Sequence, residues 1–286
     1  MKNAIEIRNL VKNYGDKFTL GEINLNIPSG IIIGLIGENG AGKTTLIKSI
    51  LNIIRSDKGN IKIFEKDIKI NESEIKENIG VVLDNMFFPE LLMPKDINSI
   101  MKEVYKNWDE QLFNKYLSEF KLKNNQSIKS MSKGMRKKLE IATALSHHPK
   151  LLILDEPTSG LDPVVRNEVL DIFLDFIQDE EHTILLSTHI TSDLEHIADK
   201  IIFINQGKVV LDQSRDDLLD NYGILKCDVD KFDTISKDDI IAYKKNKYDC
   251  EILVNDINKI KKKYKDFIVD KITLEELMVL MIKGEK

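Results

Sequence analysis

The residues best suited to chemistry form one short run. Gly37, Glu38, Asn39, Gly40, Ala41, Gly42, Lys43 and Thr44 follow the spacing G-x-x-x-x-G-K-[ST]. Glycines at these positions let successive backbone N–H groups curl around phosphate oxygens. A helix that follows directly points its positive end at the same anion. A lysine at 43 reaches the β- and γ-phosphates of a nucleoside triphosphate, and a hydroxyl at Thr44 ligates magnesium. From average residue usage, chance supplies such a match on the order of once per hundred chains of this length.

A second run, LLILDE at 151 to 156, fits the same chemistry. A carboxylate at the end of a buried strand suits a magnesium ion held beside bound phosphates, and Asp155 takes that role through water. Glu156 follows directly, where a carboxylate orients and deprotonates an attacking water. The two runs together point to ATP hydrolysis with ATP and Mg2+ as ligands. Without the glycine-rich loop, Asp155 and Glu156 would read only as a strand end running into a turn at Pro157.

These groups need rigid elements to hold them. IIIGLIG (31 to 37) and LLILD (151 to 155) are short and apolar on both faces, as strands covered on both sides should be. Leu46, Ile47, Ile50, Leu51 and Ile54 recur at helical spacing after the loop. Ile5, Ile7, Leu10, then Ile23, Leu25 and Ile27 alternate with polar residues, which predicts half-buried antiparallel strands near the N-terminus. IKIF (61 to 64), IGVVL (79 to 83) and TILLST (183 to 188) read as further strands. Residues 95 to 122 read as two helices broken at Trp108-Asp109, with Asp109 as N-cap. Another helix spans about Gly134 to Ser146, and Asp162-Pro163 starts one more. Ser192 and Glu195 have the spacing of a capping box. IIFINQGKVVLD (201 to 212) predicts a hairpin turning at Gln206-Gly207.

Buried strands alternating with amphipathic helices mean an α/β fold with a mostly parallel core sheet. After about Arg215 the texture turns rich in lysine and aspartate. One alternating strand (Cys250, Ile252, Val254) and a final helix are legible there. The helix opens on a Thr273/Glu276 capping box and is apolar nearly all round.

Composition narrows the class. The 286 residues suffice for one large and one small domain. A net charge of −5 argues against a nucleic-acid-binding surface, so no nucleic-acid partner is expected. Cys227 and Cys250 lie far apart in the chain without CxxC spacing, which suggests neither a zinc site nor a disulfide framework, and a reducing cytosol. No apolar run approaches the length of a membrane helix, and MKNAIEIRNL lacks a signal-peptide core. A membrane role would therefore run through a partner.

Further segments fall in order around the two runs. Tyr14 stands in KNYG before the loop, SKGM (132 to 135) before the Asp-Glu pair, SGLD (159 to 162) just after it, and His189 ends LLSTH. The ordered set, from residue 4 to about 215, resembles the ATP-binding subunits of ABC transporters. The resemblance implies a P-loop NTPase of ABC-ATPase type over residues 1–215. Such a unit has an N-terminal antiparallel β subdomain, a helical subdomain at about 85–148, and here a small C-terminal α/β appendage at 216–286. Tyr14 would stack on adenine, Gly37 to Thr45 would form the Walker A loop, and Glu156 would be the catalytic base. His189 would contact the γ-phosphate. Ser132, Lys133 and Gly134 would be the signature motif, acting in trans on nucleotide held by a second subunit. Ser159, Gly160 and Asp162 would lie in the loop crossing that dimer. The partners implied are a second copy (or a related ATPase) and an integral membrane subunit. The location implied is the cytoplasm, peripheral to the cytoplasmic face of the membrane.

Two departures stand out. Lys133 and Met135 replace the glycine and glutamine of the usual LSGGQ. Asp84 stands where the family usually has glutamine, with Asn85 beside it as the alternative. Asp84 is expected on the magnesium side. The stretches around VVLDNMFFPELLMPKDI, SMSKGMRKKLEIATAL and TLEELMVLMIKGEK are similar to ATPases of small bacterial exporters, including those of phenol-soluble modulins. In that group Met86, Phe87 and Phe88 would dock a membrane partner, although a plain core role reads equally well. Peptide export is the function this implies. The alternative is a soluble ABC-type ATPase acting on ribosome or DNA.

Overall fold

The computed structural model describes residues 2–84 and 88–285. Strands β1 (Asn3–Asn13) and β2 (Thr19–Pro28) pair antiparallel, as their alternation predicts. Then come β3 (Ile32–Ile36), α1 (Lys43–Ile50), β4 (Lys58–Ile63), β5 (Lys66–Asp67), α2 (Glu72–Lys76) and β6 (Ile79–Val82). A helical stretch follows with α3 (Pro94–Val104), α4 (Glu110–Glu119) and α5 (Lys133–Leu145). The chain returns through β7 (Leu151–Asp155), α6 (Pro163–Phe176), β8 (Thr183–Ser187), α7 (Thr191–Ile197), β9 (Lys200–Asn205) and β10 (Lys208–Ser214). It ends with α8 (Arg215–Asn221), β11 (Gly223–Asp228), β12 (Ala242–Lys245), β13 (Asp249–Val254), α9 (Ile257–Lys263), β14 (Ile268–Lys271) and α10 (Leu274–Lys283).

The central sheet has the order β10-β9-β3-β8-β7-β6. From β9 to β6 every pairing is parallel, and β10 joins antiparallel through the turn at Gln206 and Gly207. Both turn residues have positive φ, 46° and 76°, the pairing a tight hairpin requires. The period of two along each central strand feeds two cores. Ile33, Leu35, Leu151, Ile153 and Leu185 face the core shared with the antiparallel sheet β2-β1-β4-β5. Ile32, Ile36, Leu152, Leu154, Ile184 and Leu186 face the opposite core, roofed by α5, α6, α7 and α10. This is why these strands read as continuous apolar runs.

The helical stretch has a satellite core of Ile97, Phe113, Leu117, Ile128 and Leu139. Asp109 caps α4, its carboxylate accepting from Leu112 N at 2.9 Å. Asp162 caps α6 by accepting from Val164 N and Val165 N, both at 3.1 Å. Phe88 is half-buried against the satellite core, whereas Asn85, Met86 and Phe87 lie outside the described residues.

Two expectations are corrected. The Ser192/Glu195 pair does not box the start of α7, whose N-cap Ile190 has no side-chain cap. Ser192 accepts a hydrogen bond from Arg166, and Glu195 reaches the N-terminus of α10. The C-terminal region holds a four-stranded antiparallel sheet, β12-β13-β11-β14, where one strand was legible. In that sheet Cys227 and Cys250, far apart in sequence, are direct cross-strand partners. Burial raises the Cys227 thiol to about 11 and pushes Cys250 upward as well. The apolar α10 packs on α7 and β12, burying Leu274, Leu277 and Leu280 and half-burying Met278, Met281 and Ile282. Among the described residues no helix is long and apolar enough to cross a membrane.

Candidate functional site

The parallel strands β6, β7, β3 and β8 all deliver candidate site residues from their C-terminal ends, where open α/β sheets bind ligands. β3 runs into the loop Gly37–Gly42 and then α1. β7 ends on Asp155, β8 leads to His189, and β6 leads to Asp84. A single sheet edge thus gathers residues that are far apart in sequence. They surround a cleft of about 500 Å³ lined by Glu38, Asn39, Gly40, Gly42, Lys43, Thr44, Thr45, Asp84 and Glu156, together with Lys17 and Phe18.

The loop glycines have local reasons. A Cβ on Gly37 would lie 2.3 Å from the Ile204 carbonyl oxygen, so only glycine fits there. Gly42 turns the chain into α1 at φ 114°, a conformation L side chains rarely adopt. Phe18 packs over Gly42, its ring tip 3.0 Å from where a Cβ would stand.

Lys43 is buried, its ammonium donating to Gly37 O at 2.7 Å and Glu38 O at 3.3 Å. Burial pulls its pKa below the ordinary lysine range, and the Glu156 and Asp155 carboxylates offset part of that. A cation whose hydrogen-bond partners among the described residues are loop carbonyls suits an incoming polyphosphate.

Asp155 is 1 % exposed. Its Oδ2 accepts from Thr44 Oγ1 at 2.8 Å and its Oδ1 accepts from Ser187 Oγ. A hydroxyl and a fixed carboxylate side by side are the oxygen donors a hard divalent cation takes, so the residues present fit magnesium. The Ser187 contact follows from register, since Asp155 and Ser187 are directly paired across β7 and β8.

Glu156 sits in the left-handed region at φ 52°, an uncommon conformation for a residue with a Cβ and one that clusters at functional sites. Its N–H donates to Ser187 O at 2.9 Å. Its Oε2 accepts from His189 Nδ1 at 2.7 Å. The two side chains expected to flank the reacting phosphate therefore touch.

The remaining residues lie around this centre. Asp84 is exposed and lines the cleft. Tyr14 is 42 % exposed beside Phe18, with ring centroids 6.4 Å apart, and Lys12 Nζ lies 5.6 Å from its ring centre. Ser132, Lys133 and Gly134 do not line the cleft of their own chain. Ser132 caps α5, accepting from Met135 N at 3.2 Å, and Ser132 and Lys133 are exposed. Lys133 lies along the SGLD segment, its Nζ 2.5 Å from where a Cβ on Gly160 would stand. Gly160 and Asp162 are exposed and Ser159 is half-buried. Sequence reasoning missed Lys17, Phe18 and Ser187. The first two precede the glycine run by two whole strands, β2 and β3. Ser187 becomes visible only through strand register.

Comparison with known proteins places the chain in a family. The ABC transporter family profile matches residues 20–159. The lantibiotic transport ATP-binding protein SrtF of Streptococcus pyogenes is 36 % identical over 214 residues, covering 74 % of this chain and 91 % of that one. The bacitracin transport ATP-binding protein BcrA of Bacillus licheniformis is 33 % identical over 212 residues, covering 73 % and 69 %. The solved structure of an ATP-binding subunit of an ABC transporter superposes with a TM-score of 0.68 at 26 % identity, covering 75 % and 91 %. The chain belongs to the ATP-binding proteins of the ABC transporter family. It is an ATPase whose reaction is coupled to transport.

Proposed function

We propose that this chain powers peptide export through a separate integral membrane subunit, working as a homodimer on the cytoplasmic face of the membrane. Its similarity to proteins named for lantibiotic and bacitracin transport supports the cargo class. The site assignment rests on one observation above others: Glu156 and His189 meet at 2.7 Å beside Lys43, Thr44 and Asp155.

The residues divide the work as follows. The loop Gly37 to Thr45 and the Lys43 ammonium bind the phosphates, and Tyr14 stacks on the adenine. Thr44, and Asp155 through water, would hold magnesium, which would supply positive charge to offset the outer phosphates. Glu156 takes the proton of the attacking water. His189 orients that carboxylate through Nδ1 and contacts the terminal phosphate. Ser132, Lys133 and Gly134 of a second copy close the site, since a helix N-terminus is a second anion-binding end. The SGLD loop, with Ser159, Gly160 and Asp162, lies at the dimer contact. The ATP-binding unit spans 1–215 and the appendage 216–286.

The deciding experiment is ATP hydrolysis by Glu156→Gln, which keeps the shape and removes the base. Turnover falls by at least a hundredfold, within the range of general-base loss. ATP still binds and dimers accumulate with ATP, as sedimentation shows. Normal turnover would remove Glu156 from its role. Co-purification with a multi-span membrane protein tests the transport partner.

A further inference from the structure

We infer that Asp193 is a positioning residue for the hydrolytic pair, a role that rests on the assignment of Glu156 and His189 above. Asp193 is 1 % exposed in the first turn of α7. Its Oδ2 accepts from Thr158 Oγ1 at 2.6 Å, and Thr158 is likewise 1 % exposed. Its Oδ1 accepts from Arg166 Nε of α6. The same guanidinium donates through Nη2 to Ser192 Oγ at 2.7 Å.

The placement in the chain gives this cluster its meaning. Thr158 lies two residues beyond Glu156, and Asp193 four residues beyond His189. The loops carrying the two reacting side chains are therefore clamped to each other just behind the Glu156–His189 contact. Arg166 adds a third anchor from the helix that follows the SGLD loop, grasping adjacent residues of α7. Every strong partner of Asp193 is fixed: a buried hydroxyl and a planar guanidinium whose donor directions are set. Asp193 does not line the cleft, so it acts on the reaction only through the geometry of the two loops. Glu156 needs such support because its backbone sits at φ 52°. A left-handed non-glycine residue keeps that conformation only when its surroundings impose it.

The test uses the full chain and separates positioning from folding. Thr158→Val removes one hydroxyl at nearly constant volume, and Thr158→Ser restores it. Asp193→Asn keeps the shape and removes the charge. Thr158→Val and Asp193→Asn are expected to lower kcat about tenfold to a hundredfold, the scale of a small misplacement at a reacting centre. Binding of a fluorescent ATP analogue and KM stay within about twofold, as expected for an interaction expressed only in the transition state. Thr158→Ser keeps wild-type turnover. Thr158→Val combined with His189→Ala costs less than the two losses multiplied, because both act on the same pair. Wild-type turnover in Thr158→Val overturns the inference, even if Asp193→Asn fails to fold. So does equal impairment of Thr158→Ser, since the methyl and not the hydrogen bond would then matter. Glu156→Gln serves as the control. If it is inactive while Thr158→Val is normal, only this inference fails. If it turns over normally, the site assignment itself falls.

Discussion

His189 Nδ1 donates to Glu156 Oε2 across 2.7 Å, joining residues from the ends of two adjacent parallel strands. The contact gives Glu156 a defined rotamer and leaves the His189 side chain 52 % exposed. His189→Ala should lower kcat about tenfold or more while ATP affinity holds, because orientation of a general base is worth part of its full contribution. A steady-state ATPase assay with a parallel nucleotide titration reads both quantities.

Asp84 lines the same cleft as Thr44 and Glu156 with an exposed carboxylate. As a magnesium-side ligand it would matter most when magnesium is scarce. Asp84→Ala should need several-fold more magnesium for half-maximal hydrolysis, with activity recovering at saturation. An unchanged magnesium titration would remove Asp84 from the site.

Lys137 and Glu140 form a buried ion pair on α5, 2.8 Å apart, and Lys137 also donates to Leu83 O at 3.0 Å. This ties the helix that starts at Ser132 to the backbone next to Asp84. Burial raises the Glu140 pKa, and Lys137 opposes the rise. Lys137→Met should therefore cost about 3–5 kcal/mol by stranding a buried carboxylate. Lys137→Met with Glu140→Leu should recover most of that loss. Urea denaturation of the two variants distinguishes the outcomes.

His147 is buried, stacked on Tyr105 at 3.9 Å between centroids, and its Nε2 donates to Ile79 O at 3.1 Å. Burial lowers its pKa below the ordinary histidine value. The unfolded chain takes up this proton as pH falls through about 6.5, and the folded protein resists until lower pH. Its contribution to stability is thus complete above 6.5 and is lost as pH falls toward the depressed folded value. His147→Gln keeps a donor for Ile79 O and should flatten the acid limb of a stability-versus-pH curve between pH 7 and 5. Identical slopes would clear His147.

Cys227 and Cys250 face each other in register inside the C-terminal sheet, both buried and both with raised pKa. Few thiolates exist at neutral pH, and reagents have little access. A chromogenic thiol assay should find both unreactive in the folded protein at pH 7.5 and both titratable in denaturant. Rapid labelling of the native protein would contradict their placement.

The sequence by itself determined the elements whose signals are local. The phosphate loop is a contiguous run, so its glycines, Lys43 and Thr44 are read without any fold. LLILD and IIIGLIG announce buried strands because each leucine and isoleucine in them faces one of two cores. Asp109, Asp162 and Thr273 cap helices that begin beside them, and each cap forms. Tertiary structure alone decided which distant groups meet. Ser192 and Glu195 have capping-box spacing, but Arg166 and the Leu274 N–H compete successfully for their oxygens. The pairing of Cys227 with Cys250 depends on strand register. Asp193, Thr158 and Arg166 carry no spacing signal at all, because their contact arises from the packing of α6 and α7 behind the sheet edge. Hydrogen bonds between side chains far apart in sequence cost no regular period to make, so they leave none to read.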